Sequence, residues 1–409
     1  MAAALVAAAL TTVPASAAGE PTQRTWHGNQ IHLYGAQGAG RAGAGVVVAV
    51  LDGWIDGSHP DFEGRVLPGA DCRSGTCKAG MTQENCGAHH GTHVAGTVGA
   101  SNLGVASKAT ILPVQVLSAD SKGECTGTPA AVAAGINYAV SHGARVLNLS
   151  LGPDNPGSTN SAIPTAVHQA AAAGDVVVFS AGNADLPVSQ SYGSDALVVA
   201  ATGPDGHLAS YSQYGAGVSV AAPGGQPDSS DNCEISDCIL SLYPGNQLAV
   251  AAGTSMAAPH VSGLAALLFG QDPKRSRDSV ISRIESTAHP LSGAGHGLID
   301  VRAALGVPAP APRPSPTRTV APTKSPKPVV KPRPRPVVSA ATASTTPSPT
   351  ATATATAAGS PSPSPSSLPS VVSAPPHEKD TGGVPLPLGI AAALLVLIGG
   401  GAVLRLGRG

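Results

Sequence analysis

Residues 45–52 read Gly-Val-Val-Val-Ala-Val-Leu-Asp, an unbroken apolar run that ends in a carboxylate. Because the apolar residues do not alternate with polar ones, the run predicts a strand over Val46–Leu51 that is buried on both faces. We predict strands in four later runs of the same character: Thr110–Leu117, Ala144–Leu149, Val176–Ser180 and Ala196–Ala201. Strands of this kind are typical of parallel sheets.

Segments with helical patterning separate and follow these strands: His90–Ala100, Pro129–His142, Ser161–Ala173, Thr254–Gly270 and Arg275–Thr287. The alternation predicts an α/β fold in which a mostly parallel central sheet has helices on both faces. In such a sheet the ligand crevice opens at the carboxyl ends of the strands. Polar residues that follow a strand or open a helix there are therefore the first candidates for a functional site.

Three residues fit that description: Asp52 follows the first strand, and His90 and Ser255 each open a predicted helix. A hydroxyl needs a base to take its proton before it acts as a nucleophile at neutral pH. Imidazole, with a pKa of about 6.5, suits that role. A buried carboxylate then orients the imidazole and stabilises its charged form. The set predicts catalysis by a nucleophilic serine.

The segments around these residues resemble the three active-site blocks of the subtilisin-like serine proteases. They are Val48-Ala49-Val50-Leu51-Asp52, His90-Gly91-Thr92-His93-Val94-Ala95-Gly96-Thr97 and Gly253-Thr254-Ser255-Met256-Ala257-Ala258-Pro259-His260-Val261-Ser262-Gly263. Three more segments resemble further blocks of the family, in the same order: Gly104-Val105-Ala106, Asn148-Leu149-Ser150-Leu151-Gly152 and Ser180-Ala181-Gly182-Asn183. The resemblance spans residues 45–303 and implies a three-layer subtilisin-like fold, with a peptidase domain over 45–305.

The resemblance also implies roles for single residues. Asp52 matches the orienting acid, His90 the general base and Ser255 the nucleophile, while Asn183 matches the side chain that donates to the oxyanion together with the Ser255 N–H. Protein or peptide substrates are expected to pair with two backbone edges. We assign the following residues to substrate binding: Ser150, Leu151 and Gly152 on one edge, Gly123 and Glu124 on the other, and Gly182.

Neighbouring residues offer alternatives for two of these roles. His89 and His93 flank the predicted base, but the Gly91-Thr92 register favours His90, and His93 is expected to be a packing residue. Asp56 and Asp61 also follow the first strand, and we expect them in a surface turn.

Two departures from the family pattern stand out. Gly53-Trp54 follows the acid where relatives have Ser or Thr and then Gly, so Trp54 is expected to reshape the pocket wall. Relatives often bind calcium through the counterpart of Asp61 and a loop after the His helix. Here that loop, Ala100–Gly104, is short and lacks additional liganding residues, so we predict no metal and no cofactor.

Six cysteines in an exported body favour disulfides, and no Cys-x-x-Cys pair points to a metal site. Six cysteines allow fifteen pairings. Cys72–Cys77 and Cys233–Cys238 would close small loops, which would leave Cys86 to pair with Cys125.

The charge balance separates an acidic body from a basic tail. The chain has 23 Lys and Arg against 24 Asp and Glu, but residues 1–305 hold 13 and 22 of them, respectively. Without a basic field over the body, we predict no nucleic-acid partner.

The two ends of the chain predict an exported, tethered protein. An apolar stretch that ends in Ala15-Ser16-Ala17 predicts a signal peptide over 1–17, followed by an N-terminal arm over 18–44. The Pro/Ser/Thr/Ala-rich composition of 306–380 predicts a disordered linker. Val384–Leu404 has 21 uncharged residues, enough to span a membrane, and the basic tail 405–409 places the C-terminus in the cytoplasm.

This architecture, together with a cysteine just before the predicted base, resembles the mycosins, membrane-bound proteases associated with type VII secretion. The resemblance implies a cell-membrane enzyme whose catalytic domain lies outside the cytoplasm, with a secretion complex as its partner. A structural subunit of such a complex, with dispensable proteolysis, is the alternative. The floor of the substrate pocket is expected within residues 184–192.

Overall fold

The computed structural model describes residues 25–309, except for 85, 87–88, 121–124, 152–161, 189–191 and 231. The predicted signal peptide, membrane span and tail lie outside the described residues, as do residues 18–24 of the arm and 310–380 of the linker. Within the described part of the chain, no helix is both long enough and apolar enough to cross a membrane.

Twelve strands are described: β1 (Val47–Asp52), β2 (Ala70–Asp71), β3 (Lys78–Ala79), β4 (Thr110–Gln115), β5 (Ser118–Ala119), β6 (Cys125–Thr126), β7 (Val146–Leu149), β8 (Val176–Ser180), β9 (Ala196–Thr202), β10 (Val220–Pro223), β11 (Ile239–Tyr243) and β12 (Gln247–Ala251). Eight of them form one sheet in the order β10-β9-β8-β7-β1-β4-β2-β3, parallel at every pairing except β2–β3. β5 pairs with β6, and β11 pairs with β12 as an antiparallel hairpin. The mostly parallel sheet is confirmed.

Seven α-helices are described: α1 (Trp26–Gln30), α2 (His90–Gly99), α3 (Pro129–Ser141), α4 (Ala162–Ala173), α5 (Thr254–Gln271), α6 (Arg277–Ser286) and α7 (Val301–Ala304). Two 3₁₀ helices, Gln37–Gly43 and Pro60–Phe62, accompany them. Side chains of β1 divide between two apolar cores on opposite faces of the sheet. Val48 and Val50 pack with α2 and α5, whereas Ala49 and Leu51 pack with α3 and α4. The helices on both faces therefore explain why the apolar run in β1 does not alternate.

All five predicted strands and all five predicted helices are present, with small differences at their ends. β4 ends at Gln115 rather than Leu117, because the backbone N–H groups of Val116 and Leu117 turn to donate to the Asp52 carbonyl, at 2.8 and 3.2 Å. α6 begins at Arg277 rather than Arg275, because the Ser276 side chain caps it by accepting from the Ser279 N–H. The sequence did not predict the short helices α1 and α7, the two-residue strands β2, β3, β5 and β6, the edge strand β10 or the β11–β12 hairpin.

The described part of the N-terminal arm lies against the body. Trp26 Nε1 donates to the Cys238 carbonyl at 3.0 Å, and the Val301 N–H donates to the Ile31 carbonyl at 2.9 Å. The Ile31 side chain is fully buried. The arm therefore supplies Ile31 to the apolar core of the body.

The three disulfides are Cys72–Cys77, Cys86–Cys125 and Cys233–Cys238. This is the pairing expected from the small loops. Cys86–Cys125 joins the segment before α2 to β6, so it crosslinks the chain that leads to His90.

Candidate active site

Asp52 and His90 form a direct pair at the carboxyl edge of the sheet. Asp52 is the last residue of β1 and is fully buried, and His90 is the first residue of α2. The Nδ1 atom of His90 lies 3.0 Å from both carboxylate oxygens of Asp52. Because a carboxylate only accepts, Nδ1 carries the proton and donates it. The pair fixes the imidazole tautomer and leaves Nε2 without a proton.

The Nε2 atom of His90 is buried and has no hydrogen-bond partner among the described residues. An unprotonated ring nitrogen in this position can accept a proton. Two groups compete for one oxygen of the acid, since Asp52 Oδ1 also accepts from the Gly53 N–H at 2.7 Å. The bonds from Gly53 and His90 together fix the orientation of the Asp52 carboxylate before substrate binds.

Ser255 reaches the same edge from the helix α5. Its hydroxyl donates to the Ser150 carbonyl at 3.2 Å rather than to His90. Ser150 directly follows β7, the neighbour of β1, and Val50 pairs with Asn148 in that ladder. If this register is extended by two residues beyond the ladder, Asp52 falls opposite Ser150, and neighbouring strands are about 4.8 Å apart. The three candidate residues therefore converge, although the hydrogen bond from Ser255 to His90 is not formed.

A proline in α5 helps to hold Ser255. Pro259 lies four residues after Ser255 and has no N–H, so it cannot make the helical bond to the Ser255 carbonyl. The Ser150 hydroxyl donates to that carbonyl instead, at 2.7 Å. The missing helical bond thus ties the nucleophile's backbone to the end of β7.

A buried polar chain extends this tie into the core. Asn148 Nδ2 donates to the Ser150 hydroxyl at 3.0 Å, and the Ser262 hydroxyl donates to Asn148 Oδ1 at 2.8 Å. All three side chains are fully buried. Ser262 is thus a linker between α5 and β7 and takes no part in nucleophilic chemistry.

Asn183 is oriented by the residue before the nucleophile. Its Oδ1 accepts from the Thr254 backbone N–H at 2.9 Å and from the Thr254 hydroxyl at 2.8 Å. Because a backbone N–H only donates, the atom facing it must be the amide oxygen. The amide nitrogen then lies on the Gly253 side, 3.4 Å from where a Gly253 Cβ would stand. An N–H donor is therefore available beside the Ser255 backbone.

Thr254 is a positioning residue that the sequence did not reveal. Besides its two bonds to Asn183, its hydroxyl accepts from the Gly182 N–H at 3.1 Å. In the sequence, the one indication of this role is that Thr254 directly precedes Ser255. No residue pattern identifies a neighbour of a nucleophile as a positioning residue.

The predicted substrate edges are described in part. Gly123, Glu124 and Gly152 lie outside the described residues. Ser150 and Leu151 are buried, and the Ser150 carbonyl accepts from Ser255 as above. Both backbone groups of Gly182 are used within the protein, because its N–H donates to Thr254 and its carbonyl accepts from the Gln213 N–H at 2.9 Å.

The alternative histidines lie in other environments. His93 is buried, and its Nε2 lies 3.0 Å from the Ile239 carbonyl; burial lowers its pKa to about 4. His89 has a left-handed backbone with φ of +63° and packs edge-on against Trp54 and Tyr243, with ring centroids 5.8 and 5.3 Å away. Trp54, His89 and Tyr243 therefore form an aromatic cluster at the start of α2.

The alternative acids are engaged elsewhere. Asp56 is buried rather than at the surface, since it accepts from Ser58 and from the Gly245 N–H. Burial raises its pKa, but these hydrogen bonds lower it further, so the pKa lies below the usual value. Asp61 accepts from the backbone N–H and side chain of Asn102, which close the short loop over it.

Comparison with known proteins agrees with this geometry. Residues 43–310 match the model of the subtilase family, Peptidase S8. Subtilisin BL of Lederbergia lenta is 37% identical over 290 residues, which cover 68% of this chain and 97% of the relative. Thermitase of Thermoactinomyces vulgaris is 40% identical over 262 residues, 62% of this chain and 84% of the relative.

Solved structures show the same likeness. A protease from Pseudoalteromonas arctica superposes with a TM-score of 0.58 at 31% identity, covering 68% of this chain and 97% of the other. A cold-adapted subtilisin-like serine proteinase gives 0.53 at 29% identity, covering 63% and 88%. The chain therefore belongs to the subtilase family and is a subtilisin-like serine endopeptidase.

Proposed function

We propose that Asp52, His90 and Ser255 form the catalytic triad of this protease. Ser255 Oγ passes its proton to His90 Nε2 as it attacks the substrate carbonyl, and His90 then gives that proton to the leaving amine. Water releases the acyl group from Ser255 by the same route in reverse. Asp52 stabilises the imidazolium in both halves of the reaction.

The observation that carries this proposal is the state of the His90 ring. Its Nδ1 donates to Asp52, while its Nε2 has no hydrogen-bond partner in the described part of the chain. In the proposed reaction, Ser255 exchanges its bond to the Ser150 carbonyl for one to this nitrogen. Catalytic hydrogen bonds are often absent before substrate binds, so the present Ser255 bond is compatible with the role.

The negative charge that develops on the substrate oxygen has two proposed donors. They are Asn183 Nδ2 and the Ser255 backbone N–H, which lies at the start of α5 where the helix dipole favours an anion. Thr254 holds the Asn183 amide in place, so the donor is oriented before the charge forms.

Labelling with a fluorophosphonate tests the triad. We expect the wild-type protein to form a covalent adduct and Ser255→Ala to form none, while the exposed control Ser236→Ala labels as the wild type does. His90→Gln should label far more slowly, because the hydroxyl has lost its base. Labelling that persists in Ser255→Ala would contradict the assignment.

The same proposal places the enzyme outside the cytoplasm, anchored by Val384–Leu404 and acting on exported proteins in association with type VII secretion. Support comes from the three disulfides, which form in oxidising compartments. The signal-like N-terminus and the uncharged 21-residue run near the C-terminus add to it. In this proposal, the enzyme cleaves peptide bonds of secreted proteins whose extended segments bind at the active site.

Fractionation and secretion assays test this placement. The full chain should sediment with membranes and resist carbonate extraction, whereas a chain that ends at residue 383 should be released. Ser255→Ala should leave target proteins uncut in the culture fluid. If secretion survives Ser255→Ala but fails when residues 1–305 are deleted, the chain serves the complex as a structural subunit.

A further inference from the structure

Three side chains from distant parts of the sequence meet at one point on the body. His32 Nδ1 lies 2.8 Å from Asp300 Oδ2, and His289 Nε2 lies 2.9 Å from the same oxygen. All three atoms lie within 4.8 Å of one another. Two imidazoles and one carboxylate that share a focus are a common ligand set for first-row transition metals.

The backbone holds each of these residues in place. His32 follows α1 in the arm and has a φ of +53°, a left-handed conformation that side chains other than glycine seldom adopt. His289 forms an antiparallel bridge with Leu298, with hydrogen bonds of 2.7 and 2.8 Å. Asp300 precedes α7, and its other oxygen, Oδ1, accepts from the Ala303 N–H at 2.9 Å. The carboxylate therefore presents Oδ2 to the two imidazoles.

The cluster is open to ions. The Asp300 side chain is 6% exposed, but those of His32 and His289 are 40% and 56% exposed. Their remaining ring nitrogens can therefore reach water. An ion arriving from solvent would displace the two N–H···O bonds, and each imidazole would move its proton to the ring nitrogen that faces solvent.

We propose that His32 Nδ1, His289 Nε2 and Asp300 Oδ2 bind a divalent transition-metal ion of the Zn²⁺ class, which fastens the N-terminal arm to the C-terminal part of the protease domain. Zinc takes nitrogen and oxygen ligands at about 2.0–2.2 Å, so tetrahedral ligands stand about 3.3 Å apart. Opening the present 2.8 and 2.9 Å contacts to that value needs shifts of about half an ångström. Water completes the fourth position.

This ion would stabilise the protein and take no part in peptide hydrolysis, since the cluster shares no residue with the triad or with Asn183. Asp300 Oδ1 stays bound to Ala303 N–H, and this outer contact orients the metal ligand. The arm already packs on the body through α1, Ile31 and residues 37–43, and the ion would add a crosslink to the segment before α7. The chemistry of the donor set disfavours calcium, which takes oxygen ligands.

Thermal unfolding of tag-free protein tests the site, with Ser255→Ala in every sample to prevent self-digestion. After chelator treatment, micromolar Zn²⁺ should raise Tm by about 5 °C or more if it exceeds its Kd about a hundredfold. Ca²⁺ at the same concentration should give no shift. Titration calorimetry should show one Zn²⁺ per chain.

Three variants separate this site from its alternatives. His32→Asn, which tolerates the left-handed backbone, and His289→Ala should each abolish the zinc shift and the calorimetric signal. The matched control is His168→Ala, which breaks a surface pair of one histidine with Asp195, at 2.9 Å, and should keep both. As a second readout, zinc should slow hydrogen exchange in residues 25–45.

Two outcomes would overturn the proposal. If His32→Asn lowers Tm while the parent protein shows no zinc dependence, the cluster is a hydrogen-bonded network only. If zinc stabilises the parent and both variants equally, the ion binds elsewhere. Because every readout uses the inactive serine variant, neither result depends on the triad.

Discussion

At the scale of single residues, the site depends on groups that hold the reacting atoms rather than on those atoms alone. Asp52 fixes the His90 tautomer, and Ser150 takes the carbonyl that Pro259 leaves free. Thr254 uses its backbone and its hydroxyl to set the Asn183 amide. Each of these contacts is made before substrate binds, so the enzyme does not have to reorganise them during the reaction.

Thr254→Val keeps the side-chain shape and removes the hydroxyl, so the Asn183 amide keeps the bond from the Thr254 backbone N–H but loses the second one that orients it. A hydrogen bond of this kind contributes about 1–1.5 kcal/mol. We therefore expect kcat to fall about tenfold, since about 1.4 kcal/mol of barrier is a factor of ten. KM should change little, because the oxyanion forms only in the transition state. Steady-state kinetics on a peptide substrate measure both.

The double variant decides whether Thr254 acts through Asn183. Asn183→Ala alone should lower kcat by about 10²–10³, a magnitude that comes from subtilisin, a relative of this chain. Adding Thr254→Val to Asn183→Ala should then cost nothing further. A full additional tenfold loss in the double variant would mean that Thr254 contributes independently of the amide.

At the scale of elements, α5 joins the active site to the core. It is buried over nearly its whole length and packs against α2 and β7–β10. Besides this apolar packing, a chain of side-chain hydrogen bonds joins α5 to the end of β7 through Ser262, Asn148 and Ser150. Because all three side chains are fully buried, water cannot replace a hydrogen bond that is lost when one of them is removed.

Asn148→Ala should destabilise the fold by about 2–4 kcal/mol, because it leaves two buried hydroxyls each short of one hydrogen bond. Urea unfolding would show this as a lower midpoint with an unchanged slope. Ser262→Ala in the same background should cost less than it does alone, since it removes a hydroxyl that has already lost its acceptor. Strictly additive losses would show that the chain is not coupled.

Element prediction from sequence succeeded where burial and periodicity coincide. The segments that form β8, β9 and α5 are apolar and buried over nearly their whole lengths. Their sequences are therefore compatible only with elements that other parts of the protein cover on all sides. The β11–β12 hairpin was missed although Pro244-Gly245-Asn246 separates two apolar runs, which is a turn signal. The end of β4 could not be predicted, because it depends on the Asp52 carbonyl from another strand.

At the scale of the whole molecule, three buried histidines join the arm to the helices α2 and α5. His27 in α1 places Nδ1 3.0 Å from Nε2 of His260 in α5, and His260 Nδ1 donates to the Met256 carbonyl at 2.8 Å. His93 in α2 interacts electrostatically with both. No sequence pattern predicts this cluster, because its members lie on three segments that only folding brings together.

The cluster should make stability depend on pH. Burial lowers the pKa of His93 and of His260 to about 4, and it lowers the pKa of His27 well below the usual value. In the unfolded chain each pKa returns to about 6.5. Between pH 4 and 6.5 the unfolded state binds protons that the folded state does not. The contribution of these histidines to the unfolding free energy is therefore fully present above pH 6.5 and decreases as the pH is lowered towards 4.

Asp175 opposes this trend. Burial raises the pKa of its carboxyl to about 6, although Arg145 lowers it in part. Between about pH 4 and 6 the folded state therefore holds a proton on Asp175 that the unfolded state releases, which adds stability as the pH falls. Asp175 contributes equally to the pH dependence of unfolding in a histidine variant and in its parent. The difference between the two proteins therefore reports on the histidine alone.

His93→Gln keeps a donor for the Ile239 carbonyl and removes one titrating group. We expect the slope of unfolding free energy against pH between 4.5 and 6 to fall by about 1.4 kcal/mol per pH unit, the value of one proton. Urea unfolding at several pH values measures this slope, and the exposed His207→Gln is the matched control. If His93→Gln keeps the slope of the parent, His93 is already protonated in the folded enzyme and the cluster does not link the arm to pH.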